Sequence, residues 1–149
     1  MIDLQSIKDT AANIIDDGNE IAPILFYNSK NDMAIVPLNT IPKNQWKEYI
    51  FKIAKKEKLN QFILLVESWT VTLPPTHPLV KHLQSGKLRI SDLPDDMKSE
   101  IAMLQQTYRN GVTNIWTAQI VTIKNGENRR KLLSWHLRDK YITGFSMKW

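Results

Sequence analysis

The sequence predicts an α+β domain, a mostly antiparallel sheet with helices packed on it. Three observations point there. Apolar residues recur at helical spacing before residue 18 and again between residues 42 and 60. The run Phe62-Ile63-Leu64-Leu65-Val66 is apolar without alternation, as a strand covered on both faces should be. The last third alternates polar and apolar residues around Asn125-Gly126, a strong short-range hairpin signal.

Taken in order, Asp3 is placed to cap a first helix with Leu4, Ile7, Ala11, Ile14 and Ile15 on one face, and Gly18 is placed to stop it. Ile21 to Tyr27 and Met33 to Leu38 read as a strand pair around the turn cluster Asn28 to Asp32, with Pro23 keeping its strand to a start or an edge. Pro42 opens a second helix whose inward face is Trp46, Tyr49, Ile50, Ile53 and Ala54. Gln61 to Leu73 reads as a strand that leaves the core partway along, and Pro74-Pro75 stops it.

A short helix is expected at His77 to Leu83, closed by Gly86. A longer one is expected from Pro94, with Asp92 as cap and Met97, Ile101, Leu104 and Tyr108 at helical spacing, ending at Asn110-Gly111. Thr113 to Ile123 and Asn128 to Leu137 form the expected hairpin, and Tyr141 to Trp149 a short final strand. A two-residue type I′ loop at Asn125-Gly126 sets Lys124 opposite Glu127, Trp116 opposite Trp135 and Ala118 opposite Leu133. The expected order is α-β-β-α-β-(α)-α-β-β, a single domain over residues 1–149 with no internal repeat.

Composition narrows the function classes. Hydrophobic residues are 42% of the chain and charged ones 23%, which separates it from disordered chains. There is no cysteine, so disulfides, thiolate catalysis and cysteine-ligated metal centres are excluded. No apolar run reaches membrane-spanning length, and Met1-Ile2-Asp3-Leu4 does not read as a signal peptide, so the expected address is cytoplasmic. The net charge of +5 permits a polyanionic partner without demanding one.

The phosphate-binding glycine motifs, the G-x-S-x-G elbow and H-E-x-x-H are all absent, and no cofactor is expected. His77 and His82, five residues apart, would point about 140° apart on a helix, so no metal site is expected. Asp95-Asp96 lacks the following Glu-x-Lys or Asp-x-Lys of a metal-dependent nuclease strand.

Two function classes stay open. The preferred one is a non-enzymatic binding protein acting on a protein or nucleic acid through a surface. Its candidate residues are Lys52, Lys55, Lys56 and Lys58 with Arg129, Arg130 and Lys131, and it requires the four lysines to share a face with Arg129, Arg130 or Lys131. A homodimer is left open should the tryptophan-bearing sheet face lie bare. The alternative is a small cofactor-free hydrolase or phosphodiesterase using Glu67, at the strand's exit from the core, with His77 or His136.

The strand end Glu67-Ser68-Trp69, the loop with His77-Pro78 and the later Trp116-Thr117-Ala118 resemble small prokaryotic and phage proteins with a Glu-Ala-Trp or Glu-Ser-Trp at a strand end. The resemblance covers residues 60–123. The stretch between His82 and Gly111 departs from it, and it implies no activity.

Overall fold

A computed structural model describes residues 2–71, 73–74, 76–125, 127–138 and 147–149. Its elements are α1 (Leu4–Asp16), β1 (Ile24–Ser29), β2 (Asp32–Pro37), α2 (Trp46–Lys56), β3 (Gln61–Thr70), α3 (Pro78–Gln84), β4 (Ser99–Tyr108), β5 (Thr113–Asn125) and β6 (Glu127–Arg138). The six strands form one antiparallel sheet in the order β2-β1-β3-β4-β5-β6. From β3 onward it is a meander, each strand pairing with the next in sequence.

The two faces carry separate cores. Ile7, Ala11 and Ile15 of α1 pack on Phe26, Ile63, Leu65, Ala102, Leu104 and Ile120. Ile50 and Ala54 of α2 pack on Leu25, Phe62, Leu64 and Val66 on the opposite face. Successive β3 residues point to opposite faces, so this strand is buried on both sides from Phe62 to Val66, and no helix of the described residues is long and apolar enough to cross a membrane.

The helix ends follow local chemistry. Asp3 Oδ1 accepts from the Gln5 and Ser6 amides at 3.0 and 3.4 Å, capping α1. At the other end Gly18 has φ +81°, and the Gly18 and Asn19 amides bond back to Ile15 and Ile14. The same closure ends α2, where Lys58 and Leu59 amides return to Lys55 and Ala54, but here the left-handed position is Lys58 at φ 52°. A side chain in that region costs about 1 kcal/mol, so Lys58→Gly is expected to stabilise the fold by about that amount in chemical denaturation.

The expected helix from Pro94 is a correction. Asp95–Met97 form one 3-10 turn, and Ser99–Tyr108 is strand β4. Met97, Ile101, Leu104 and Tyr108 fit a helical stripe, yet β4 lies between β3 and β5 and hydrogen-bonds on both edges. Burial of Ala102 and Leu104 on the α1 face, with Met103 packed on the α2 face, removes the alternation that marks a one-sided strand.

The hairpin register is a second correction. Asn125 pairs with Glu127 and Lys124 with Asn128, one residue off the expected pairing. Farther along, Ile120 faces Leu132 while Ala118 faces Trp135, so Leu133 and Ser134 together oppose Gln119. This two-against-one bulge reverses the facing of β6, letting Leu132 and Trp135, three residues apart, both turn to the α1 core. Trp116 consequently faces Leu137 rather than Trp135, and Leu133 is 41% exposed instead of packing beside Ala118. Both tryptophans still lie on the α1 face and pack against its core. The expected type I′ turn includes Gly126, and most of the expected last strand is residues 141–146; both lie outside the described residues.

Candidate functional site

Where β3 leaves the core, the sheet register brings three charged side chains together on the α1 face. Glu67, Ala102, Ala118 and Trp135 form one row across β3 to β6, and Trp69, Glu100, Ile120 and Leu132 form the next. Arg130 follows on β6, opposite Thr122. Two alanines between Glu67 and Trp135 keep the sheet surface low, and long side chains can reach across it.

Arg130 does so. Its Nη2 donates to Glu67 Oε1 and, at 2.7 Å, to Glu100 Oε2. Its Nη1 donates to the Asn19 carbonyl at 3.2 Å, fastening the segment after α1 to the sheet. The Glu67 and Arg130 side chains are largely buried, and Glu100 is about a third exposed. Burial pushes the Glu67 carboxyl above its ordinary value; Arg130 pulls against that shift, and the nearby charges of Glu100 and Glu20 add to it. Burial likewise works against the Arg130 cation, but its bonds to both carboxylates prevail and raise its pKa.

The histidines do not join this cluster. His77 Nδ1 accepts from the Leu79 amide at 3.2 Å, capping α3. His136 lies opposite Thr117 on the other sheet face, exposed. Among the described residues Glu67 bonds Arg130 and no histidine, and no group of three His, Asp or Glu is disposed to hold a metal ion. A second titratable group does lie within hydrogen-bond reach of Glu67, but it is a cation shared with Glu100, an arrangement suited to holding strands together.

The remaining candidate residues divide by face. α2 covers the opposite face of the sheet, and the register turns Arg129, Lys131, His136 and Arg138 to that same side. Lys52, Lys55, Lys56 and Lys58 are exposed on α2 and its end. Lys52 lies 3.5 Å from Glu48, and Lys55 sits 4.7 Å from the Phe51 ring centroid. Arg129 and Lys131 are exposed; Arg138 Nε donates to Thr117 Oγ1 at 2.7 Å. Arg130 is the exception in its tripeptide, since its neighbours point away from the carboxylates that hold it. An open depression of about 450 Å³ lies on the α2 side, lined by Asn44, Lys47, Glu48, Phe51, Met147 and Lys148.

Glu100 was not among the sequence candidates, because its stretch reads as helix and a helix would not set it beside Glu67. The available signal was Glu67 itself, a carboxylate at a strand's exit that needs a cation. No family model, no curated protein and no solved structure matches this chain.

Proposed function

We propose that this protein acts by binding nucleic acid, through the side of the sheet on which α2 lies. One observation carries the reading. The cations of α2 and the outward cations of β6 lie on one side of the sheet, while on the other side Arg130 is bonded to two glutamates and Lys8 and Lys98 lie over the rings of Trp116 and Trp69. Exposed positive charge on one side of a protein of net charge +5 supports a polyanion site there. Of the three candidates for catalysis, Glu67 holds strands together, His77 caps a helix, and His136 lies exposed on the opposite sheet face from Glu67.

Binding of a fluorescent DNA to the whole chain should fall steeply as salt rises, because each neutralised phosphate releases counterions. Replacing Arg129 and Lys131 together by alanine should reduce the slope of log affinity against log salt by about 2, close to one unit per lost phosphate contact. Absence of retention at low salt would refute the proposal.

A further inference from the structure

Beyond Ile120, β6 is the one strand neighbour of β5 among the described residues: β4 pairs with β5 as far as Glu100 opposite Ile120, whereas β5 and β6 stay paired to Asn125 opposite Glu127. Val121 to Asn125 and their partners therefore form a two-stranded ribbon about 17 Å long, at ~3.4 Å per residue. Its root is fixed by Arg130, bonded to Glu67, Glu100 and the Asn19 carbonyl. One ribbon face carries Arg129 beside Ile123 and Lys131 beside Val121. Both cations are exposed, and Ile123 is 40% exposed, an apolar side chain left open between charged ones.

We propose, building on the nucleic-acid reading, that this ribbon enters the major groove of duplex DNA. The B-form major groove, about 12 Å wide, admits a two-stranded ribbon, and there arginine and lysine meet guanine edges and phosphates while an apolar group meets the thymine methyl. Single strands are held instead by bases stacked on open aromatic faces. Here Trp116 lies under Lys8 at 5.7 Å and Trp135 packs against the α1 core, while Trp69, 37% exposed, has Lys98 4.3 Å from its ring centroid. Duplex RNA presents a major groove too deep and narrow for a ribbon.

The test uses the whole chain with one labelled sequence as DNA duplex, DNA single strand and RNA duplex. The DNA duplex should bind at least about tenfold more tightly than either of the others, on the scale by which base contacts exceed phosphate contacts alone. Arg129→Ala with Ile123→Ala should erase that preference with an unchanged circular dichroism spectrum. Lys30→Gly, which removes a cation from the β1–β2 turn, should leave the preference intact. Glucosylated hydroxymethylcytosine, which fills the major groove, should abolish the preference, and netropsin in the minor groove should not. Equal binding of all three nucleic acids, or indifference to the glucosylated duplex, overturns the groove assignment and leaves nucleic-acid binding standing. Binding to polyglutamate with none to any nucleic acid overturns both.

Discussion

Phe62→Ala is expected to lower the unfolding free energy by about 3–5 kcal/mol, the range for a fully buried aromatic side chain reduced to a methyl group. Phe62 is completely buried in the core beneath α2. Its ring centroid lies 5.3 Å from that of Trp149, and Trp149 is itself fixed at both ends of its residue: the indole donates to the Leu59 carbonyl at 2.8 Å and the backbone amide to Arg109 at 3.1 Å. Removing the phenyl ring thus opens a cavity and deprives Trp149 of the ring tilted against its own. Urea denaturation gives the size of the loss, and the near-ultraviolet circular dichroism of the folded variant should change as Trp149 loses its aromatic neighbour. Phe62→Leu leaves a smaller void and should cost less. A variant within about 1 kcal/mol of the parent, as for a surface site, would show that this core does not hold the sheet together.

Elements whose signals are local were legible in the amino-acid sequence. The carboxylate of Asp3 and the missing side chain of Gly18 act within a turn of where they sit, so both ends of α1 could be read directly. β3 announced itself because burial on both faces leaves an unbroken apolar run, and its exit at Glu67 followed from the change to alternation. β4 was hidden by the same physics. Its Ile101 to Leu104 segment is covered on both faces, and the spacing of Met97, Ile101, Leu104 and Tyr108 happens to match a helix, so only pairing with β3 and β5 decides its form. The hairpin register was missed for a different reason. Leu132, Leu133 and Trp135 all look eligible for the core, and a bulge chooses among them by reversing the strand's facing between Leu132 and Trp135. Glu67 was legible as a carboxylate at the strand's exit, read there as a catalytic candidate and not as half of an ion pair with Arg130. The identity of that partner depends on three registers in succession, from β3 to β6, and no local rule supplies those.

Arg130→Ala should be the most damaging change to a charged residue here, costing about 2–3 kcal/mol at neutral pH. Removing one partner of a buried ion pair costs about 3–5 kcal/mol, and the residual exposure of 15% at Glu67 and 32% at Glu100 brings the figure down. The loss has a pH signature that simple loss of packing would not have. Burial already raises the pKa of Glu67 with Arg130 in place. Without the guanidinium, desolvation acts unopposed and the folded protein holds that proton more tightly still. A carboxyl whose folded pKa exceeds its unfolded one imposes no charge-burial penalty below the unfolded value, where both states are protonated. The penalty grows as pH rises from the unfolded value to the folded one and is complete above it, because stability falls wherever the folded state binds more protons. The variant should therefore regain part of its deficit relative to the parent as pH falls from neutral to about 4, near the ordinary carboxylate range. Adding Glu67→Gln to Arg130→Ala removes the buried charge and should recover stability at neutral pH while flattening the pH dependence. Urea denaturation of the parent, the single variant and the double variant at both pH values measures all of this. A deficit equal at the two pH values, and undiminished in the double variant, would show that Arg130 holds the sheet by packing and by its bond to Asn19 rather than by neutralising Glu67.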